Sequence, residues 1–407
     1  MNLTRRAMLG AGLAAVSVPA RAQSPRIRIG ALTDVSGPYR DVEGPTGTAC
    51  ARQAAAEFMA ANPAIPVEII MADHQNKPDV AAGIVREWFD RDQADALVQV
   101  GNTAVALACA TVALEKDKVH LNTGALSSSL TGPNCNPTMI AFPLDTWCIA
   151  HSTATALAQG GNDSWFFITA DYAFGHAVQD DTTAFVTRAG GKVLGSVAYP
   201  FPGTTDYSAY LVQAQASGAK VVAFANGGTD TINCVKQAQE FGLTRRGTRL
   251  AGLTALISEV TALGLQAAQG LVLTETFYWD LNDRTRAFYD RVKPRLSAGV
   301  FPDSLQAGAY GATLHYLKAV KEMGVAQAKA SGRATVAAMK RMPTDDDCFG
   351  PGRIREDGRA IHPAYLLEAK KPEESHRPGD LFKVLATTPA EQAFRPLAEG
   401  HCPLVHA

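Results

Sequence analysis

Short apolar runs that alternate with helical segments are the feature that most constrains the fold of this chain. In the stretch ALVQVGNTAVALACATVALEKDKVHLNTGALSSSLTG, residues 96–132, the apolar run 97–100 predicts a buried strand and the periodic segment 105–114 predicts a helix. A Gly-Asn-Thr turn separates the two. The same order of strand and helix recurs from residue 27 to residue 274. Such alternation predicts α/β lobes built on parallel, doubly wound sheets.

Two loops of this stretch follow neighbouring predicted strands and are rich in small hydrogen-bond donors. Asn102 and Thr103 precede the helix, and Ala125 and Ser127 follow the next strand. The first turn of a helix leaves backbone N–H groups unpaired at the positive end of its dipole, so such a loop accepts a carboxylate. Ligands of open α/β sheets bind at the carboxyl ends of strands. The stretch alone leaves open whether these loops form a pocket or are ordinary capped loops.

The size and charge of the chain favour a folded protein with two domains and no nucleic-acid partner. Its 407 residues suit two domains of ~150–200 residues each. Apolar residues make up 46% of the chain and charged residues 19%, as in globular proteins. Removal of residues 1–22 takes away three arginines and no acidic residue, so the net charge falls from −1 to −4. This charge gives no electrostatic case for nucleic acid.

The amino terminus predicts an export signal over residues 1–22. The segment TRRAML, residues 4–9, is similar to the twin-arginine motif, and an apolar run and a small-x-small sequence, residues 20–22, follow it. The apolar run is shorter than the ~20 residues that span a bilayer. No cysteine stands at the expected cleavage site, so we expect a free periplasmic protein that begins near Gln23. Export by the Sec route stays open.

Four segments together resemble the periplasmic solute-binding proteins of branched-chain amino acid type ABC importers: IGALTDVSGPYRDVEGP, VGNTAVAL, LNTGALSSSLTG and FFITADYAFGHAV. The resemblance extends from residue 27 to the carboxyl end. It implies the type I periplasmic binding protein fold, in which two Rossmann-like lobes are joined by a three-strand hinge and hold the ligand in a cleft. It also implies a membrane permease as partner.

The resemblance implies a division of the chain after the signal peptide. We expect lobe 1 at residues 23–143 and 277–345, lobe 2 at residues 146–275 and 348–380, and a tail at residues 381–407. A hairpin near residues 350–359 would belong to lobe 2.

The seven cysteines include no CxxC pair. Cys50 and Cys109 lie in apolar helical patterns and are expected in the core, whereas the resemblance suggests that Cys135 and Cys402 pair.

The same resemblance assigns ligand contacts to the loops that face the cleft. The family places the ligand's carboxylate near Asn102 and Thr103 and near residues 125–127, and a tyrosine at the position of Tyr172 closes over the ligand. The ten expected contacts are Ser36, Tyr39, Asn102, Thr103, Ala125, Ser127, Tyr172, Asn226, Thr254 and Tyr278. For each of them, a role as a capped or packed loop residue stays open.

The ligand expected from the sequence is a small carboxylate without an α-amino group. Amino acid binders of the family carry an acidic residue for the ligand's ammonium, and Thr254-Ala255 supplies none. Because an unpaired buried ammonium is costly, an aromatic, keto or hydroxy acid is favoured over a branched-chain or other amino acid. Glu259 or Glu275 would reverse this preference if either reached the cleft. Three tryptophans could stack on an aromatic ligand: Trp147, Trp165 and Trp279.

Enzyme and sensor functions are the alternatives, because twin-arginine export also carries folded enzymes. The chain has no GxGxxG after its first strand, no GxSxG, no Walker loop, no HExxH and no CxxC. Its histidines show no metal-ligand spacing. We therefore expect no enzyme, no cofactor and no metal. A sensor of the same fold would differ only in lacking a permease, and in either role we expect a monomer.

Overall fold

The computed structural model describes residues 26–405, so the predicted signal peptide and Gln23 lie outside the described residues. Residues 27–141 form the first set of alternating elements. They are β1 Ile27–Thr33, α1 Gly44–Ala61, β2 Val67–Asp73, α2 Pro78–Asp90, β3 Ala96–Gln99, α3 Thr103–Glu115, β4 Val119–Asn122 and β5 Met139–Ala141. All five strands are parallel, in the order β2-β1-β3-β4-β5. We call this sheet and its helices lobe 1.

A second set of alternating elements follows and repeats the arrangement. It comprises α4 Thr146–Ile149, α5 Thr155–Gln159, β6 Ser164–Ala170, α6 Ala173–Arg188, β7 Lys192–Tyr199, α7 Ser208–Ala216, β8 Val221–Ala225, α8 Thr229–Glu240, β9 Arg249–Gly252, α9 Ile257–Leu263, α10 Leu265–Ala268 and β10 Val272–Glu275. A π-helical segment, Ala150–Ala154, joins α4 to α5. The five strands are parallel and form most of a second sheet, which is the basis of lobe 2.

The remaining elements are α11 Asp283–Val292, α12 Ser304–Met323, α13 Val325–Ala330, α14 Gly332–Arg341, β11 Thr344–Asp346, β12 Gly350–Ile354, β13 Ala360–Ile361, β14 Ala364–Ala369, β15 Phe382–Thr388 and α15 Ala390–Ala393. Helices α11 and α12 pack against α1, and α14 packs against β4, so this part returns to lobe 1. Strands β14 and β15 are antiparallel and complete the second sheet in the order β15-β14-β10-β9-β8-β6-β7. The predicted α/β class with two Rossmann-like lobes is confirmed.

The predicted hairpin differs from its expected placement. Strands β11, β12 and β13 form a small separate sheet instead of extending the second one. An isolated bridge between Ala141 and Arg359 connects this sheet to the end of β5. Only the strand that follows the hairpin, β14, enters the second sheet.

Three crossings between the two sheets form the hinge: after β5, after β10 and before β14. Arg359 lies beside the first crossing with its side chain 2% exposed. Its guanidinium donates to the carbonyl oxygens of Ala141, at 2.5 Å, and Pro143, and it lies 3.4 Å from Asp145 Oδ2. The guanidinium also lies 4.8 Å from the centroid of the Phe394 ring. One buried cation therefore links the hinge to the carboxyl-terminal segment.

A disulfide connects Cys135 and Cys402, whose Cα atoms are 5.7 Å apart. Cys135 precedes β5 of lobe 1, whereas β15 belongs to the second sheet, so the tail runs back from one sheet to the other. Arg395 on this segment donates to the carbonyl of Ser128 at 2.9 Å.

Five other cysteines are free and buried, among them Cys50 and Cys109. Within residues 26–405, no helix has both the length and the apolar character needed to cross a bilayer.

Cys402→Ser is expected to lower the free energy of unfolding by about 2–4 kcal/mol, because the disulfide closes a loop with a sequence separation of 267 residues and restricts the unfolded chain. Urea unfolding followed by circular dichroism measures this change. The wild-type protein in excess reductant is the matched control and should lose the same amount. An unchanged urea midpoint in both samples would show that the bond contributes nothing to stability.

Candidate ligand cleft

A cavity lies between the carboxyl-terminal strand ends of the two lobes. From lobe 1 the cavity is lined by Tyr39, Val42, Glu43, Asn102, Thr103, Gly124, Ala125, Leu126 and Leu305. From lobe 2 it is lined by Tyr172, Phe174, Gly227, Gly228, Thr254, Leu256 and Glu259. None of the described residues that line it is basic, and residues 26–405 contain no cluster of His, Cys, Asp or Glu arranged for a metal.

The structure brings six of the ten expected contact residues together in this cavity. They are Tyr39, Asn102, Thr103, Ala125, Tyr172 and Thr254. All six follow the end of a strand, where the topology of a parallel sheet predicts a ligand. Whether each of them touches a ligand stays a prediction.

The other four expected residues do not line the cavity, because their side chains are bonded elsewhere. Ser36 Oγ donates to Asp73 at 2.6 Å, and Ser127 Oγ bonds to Ser129 Oγ at 2.8 Å. Thr231 Oγ1 donates to Asn226 Oδ1 at 2.8 Å, and Tyr278 Oη donates to the Gly379 carbonyl at 3.0 Å. A position after a strand predicts the location of a residue but not the direction of its side chain, and contact of these four residues with a ligand stays a prediction that the cavity lining does not support.

The structure places all three tryptophans in packed positions, which is the more common role of such residues. Trp147 packs against His151 on lobe 2, with ring centroids 4.8 Å apart. Trp165 is fully buried in the core. Trp279 stacks beside Phe301 at 4.9 Å, and its indole N–H donates to the Gly379 carbonyl at 2.9 Å. None of the three lines the cavity.

Thr103, which lines the cavity at the start of α3, carries a buried hydroxyl without a hydrogen-bond partner among the described residues. Asn102 caps the helix, because its Oδ1 accepts from Ala104 N at 3.0 Å and from Val105 N at 3.3 Å. The next residue, Thr103, is 1% exposed, and its Oγ1 has no hydrogen-bond partner among the described residues. A buried hydroxyl without a partner costs free energy. A ligand oxygen at this helix terminus would supply the missing partner.

The loop before α3 has a strained backbone. Gln99, Val100 and Asn102 have φ values of 74°, 60° and 66°, in a region that non-glycine residues rarely adopt. The Gln99 side chain holds the loop in place by bonding to the Gly44 carbonyl at 3.1 Å and to Thr48 Oγ1 at 2.8 Å. Such strain is concentrated at functional sites. The unusual backbone conformation turns the chain after β3 so that Asn102 and Thr103 lie at the cavity.

Glu43 is a carboxyl in the cavity wall that the sequence analysis missed. Its side-chain Oε2 accepts from Gly101 N at 3.0 Å, and the residue is only 2% exposed. A Cβ on Gly101 would lie 1.4 Å from Glu43 Oε1, and one on Gly124 would lie 2.8 Å from Oε2, so both strand ends need glycine here. Burial, together with the nearby Asp34 carboxylate, raises the pKa of Glu43 well above its usual range.

Glu259 also lines the cavity, which is the condition that the sequence analysis set for reversing its preference against an amino acid ligand. Its Oε1 accepts from Gly228 N at 2.9 Å, and its Oε2 accepts from Leu256 N at 3.1 Å and from Ser258 Oγ at 2.8 Å. Burial raises its pKa. Glu275 instead accepts from Ser304 N at 3.0 Å outside the cavity lining.

The two lobes touch across the cavity. The hydroxyls of Tyr39 and Tyr172 share a hydrogen bond, and Thr229 N donates to the Pro38 carbonyl at 3.1 Å. The ring of Phe201 stacks on Tyr172 at 4.4 Å and on Tyr39 at 5.6 Å between centroids. These contacts define a closed arrangement in which the cavity is shielded from solvent.

Comparison with known proteins identifies related chains over this whole region. The periplasmic binding protein family matches residues 26–375. A periplasmic binding protein of Burkholderia mallei is 42% identical, with a TM-score of 0.88 over 93% of this chain and 99% of its own. A branched chain amino acid ABC transporter periplasmic ligand-binding protein of Burkholderia xenovorans is 36% identical, with a TM-score of 0.81 over the same shares. An ABC transporter solute binding protein of R. palustris, in complex with 4-hydroxybenzoate, is 20% identical, with a TM-score of 0.81 over 91% of this chain and 99% of its own.

Proposed function

Because the chain belongs to the periplasmic binding protein family, we propose that its interlobe cavity captures a small carboxylate-bearing solute for an ABC importer. An aromatic, keto or hydroxy acid is the favoured ligand. The protein is a substrate-binding protein of an ABC transporter and not a member of an enzyme family. A periplasmic location, export by a twin-arginine signal and action as a monomer complete the proposal.

The observation that carries the proposal is the buried Thr103 hydroxyl at the start of α3. This group lines the cavity and has no partner among the described residues. A carboxylate oxygen placed beside it would accept its hydrogen bond and would meet the positive end of the helix dipole. Such a site binds a carboxylate without a basic side chain.

The walls of the cavity favour a ligand with a flat or apolar body. Besides the polar groups near α3 and the lobe 2 residues Thr254 and Glu259, its lining includes aliphatic and aromatic side chains, namely Val42, Leu126, Phe174, Leu256 and Leu305. A benzoate-type or branched keto acid would bury its body against these side chains. The R. palustris complex supports the proposal only in that a protein of the same fold accommodates 4-hydroxybenzoate.

The second candidate ligand is a branched-chain or other amino acid. It is favoured by the two carboxyl groups of Glu43 and Glu259 in the lining, since either could pair with an ammonium. Three donors already bond to the two oxygens of Glu259, which reduces its capacity for a further partner. The choice between the two ligand classes therefore depends on Glu43.

As a mechanism, we propose capture without chemical change. The open protein receives the acid at lobe 1, near Thr103, and lobe 2 then closes by rotation about the three hinge crossings. Tyr172 closes over the ligand and meets Tyr39, and the closed form docks on the membrane permease. The lobe boundaries expected from the sequence, near residues 144, 276 and 346, belong to the same proposal, although the third of them precedes the crossing before β14.

Thr103→Val is expected to weaken binding of the favoured acid about tenfold, because valine keeps the shape of threonine and removes one hydrogen bond worth ~1.4 kcal/mol. The acid is first found by thermal shift of the mature protein against benzoate, 4-hydroxybenzoate, 2-oxo-4-methylpentanoate and L-leucine, since a ligand of the folded state raises its melting temperature. Calorimetry then compares the variant with the wild type. Combining Thr103→Ala with Tyr172→Ala should weaken binding further.

Thr123→Val is the matched control. Thr123 is also 1% exposed and its hydroxyl also has no partner, but it does not line the cavity. We expect the Thr123→Val variant to bind the acid with the same affinity as the wild type. Equal affinity for Thr103→Val and the wild type would place the carboxylate elsewhere. Failure of every acid to bind, with L-leucine binding tightly, would favour the second candidate.

A further inference from the structure

We propose that Glu43 determines the specificity of the cleft: it stays in the carboxylic acid form and donates a hydrogen bond from Oε1 to the bound acid. This inference rests on the proposed function, because it names the group that the captured carboxylate or its neighbouring oxygen meets on the floor of the cavity.

The hydrogen bonds of Glu43 leave one oxygen for the ligand. Gly101 N donates to Oε2 at 3.0 Å, and Thr33 Oγ1 lies 3.4 Å from the same oxygen. No described residue bonds to Oε1. Because an oxygen that accepts a backbone N–H is the poorer position for the acid proton, the proton resides on Oε1. The only free hydrogen-bonding atom of this side chain is therefore a donor.

The position of Glu43 brings it next to the expected carboxylate site. Its carboxyl lies against Gly101 and Gly124, which directly precede the loops that carry Thr103 and Ala125. A ligand that accepts from Thr103 Oγ1 would thus lie close to Glu43. Two carboxylates at one site repel each other, and sharing one proton between them removes that repulsion.

Among the described residues that line the cavity, none carries a positive charge that would hold Glu43 ionised. Desolvation disfavours its anion, and no lysine, arginine or histidine lines the cavity. The titratable groups that face it from the surrounding elements are Asp34, Tyr39, Tyr172 and Glu259. All of these are acidic or neutral, so each additional negative charge, including that of the ligand, strengthens the binding of the proton to Glu43.

The consequence is that the affinity for an acid depends on pH. Between about pH 6 and 9 a simple carboxylic acid stays ionised, so any change in its affinity over this range reports on the protein. Binding of an anion beside Glu43 raises the pKa of this residue further. Once the free protein loses the proton, binding must take one up, and the affinity falls as pH rises, by up to tenfold per pH unit.

The test measures affinity by calorimetry across this pH range, in buffers of different ionisation enthalpy, for the wild type, Glu43→Gln and Glu259→Gln. The probe is the tightest binder among benzoate, 4-hydroxybenzoate, 2-oxo-4-methylpentanoate and L-leucine. Glu43→Gln keeps a neutral donor of the same shape, so we expect it to bind the acid within about threefold of the wild type at pH 6 and to lose the pH dependence. Glu259→Gln should keep the wild-type slope.

Several results would overturn the inference. A wild-type affinity that rises with pH, together with a loss of 100-fold or more in Glu43→Gln, would show an ionised Glu43 that pairs with an ammonium. The same non-zero pH slope in the wild type and Glu43→Gln would assign the titration to another group, whereas flat affinities in both would mean that Glu43 keeps its proton up to pH 9. Either result leaves carboxylate capture by Thr103 intact.

A second measurement separates this inference from the proposed function. The infrared difference spectrum of wild type minus Glu43→Gln near pH 7 should contain the C=O stretch of a carboxylic acid. This band requires no ligand. Its absence would overturn the inference even if acids bind, whereas its presence in a protein that binds no acid would contradict only the proposed function.

Discussion

Gly228→Ala is expected to weaken ligand binding about 100-fold, equivalent to ~2.7 kcal/mol, while the lobes still fold. A Cβ at position 228 would lie 2.1 Å from the Pro38 carbonyl oxygen of the opposite lobe. The lobes would have to separate by about 1 Å to relieve this overlap, which breaks the neighbouring hydrogen bond from Thr229 N to Pro38. Calorimetry with the best-binding acid measures the loss.

Gly264→Ala separates the effect on closure from backbone strain. Gly228 has φ 62° and ψ −137°, and Gly264 has φ 72° and ψ 151°, so alanine is strained at both positions. A Cβ at Gly264 would meet nothing within 4 Å. We expect both variants to lose similar thermal stability without ligand, but only Gly228→Ala to lose affinity. Equal affinities for the two variants would mean that the ligand-bound lobes do not approach as closely as in this structure.

Arg359→Ala is expected to lower the free energy of unfolding by about 3–5 kcal/mol, because it leaves a buried carboxylate, Asp145, without its cation. The carbonyls of Ala141 and Pro143 lose their donor in the same step. Urea unfolding measures the change. A loss of under 1 kcal/mol would show that water replaces the guanidinium and that the hinge does not depend on it.

Arg353→Ala is the control for the charge change. Arg353 pairs with Glu391 at 2.9 Å, but the two side chains are 55% and 67% exposed. Exposed pairs contribute ~0–1 kcal/mol. Arg359→Ala should therefore lose several times more unfolding free energy than Arg353→Ala, although both variants remove one positive charge from the same region of the chain.

Much of the fold follows from local patterns in the sequence. Buried strands such as β3 and β4 are short apolar runs, and α3 begins where Asn102 caps it. The parallel topology then places the strand-end loops at one cleft, so Thr103, Ala125, Tyr172 and Thr254, which the resemblance assigned to the ligand, line the same cavity. These positions depend only on the ends of strands.

The burial of Glu43, which the sequence analysis missed, and the reach of Glu259, which it left open, depend on tertiary contacts. Glu43 precedes a Gly-Pro helix start, which predicts a solvent-exposed turn, and it is buried only because Gly101 and Gly124 leave room for it. Glu259 reaches the cavity as part of the first turn of α9, where its carboxyl caps backbone N–H groups. Neither placement leaves a periodic signal.

The edge strand β15 was missed for a different reason. Its residues Val384 and Leu385 are adjacent and 46% and 49% exposed, so the apolar and polar positions do not alternate. Its partner β14 carries a register shift between Leu366 and Leu367, which further disturbs the pattern. Pairing with β14, and not the local sequence, places this strand in the sheet.

The carboxyl-terminal tail gives the hinge a fourth connection. After β15 the chain passes beside the hinge, where Arg355 donates to the Arg395 carbonyl at 2.8 Å, and it ends in the bond between Cys402 and Cys135 on the other lobe. Three peptide segments and one cross-linked strap therefore join the two lobes. Each additional attachment restricts the rotation of one lobe relative to the other. We expect the oxidised protein to twist less about its hinge than the reduced protein does.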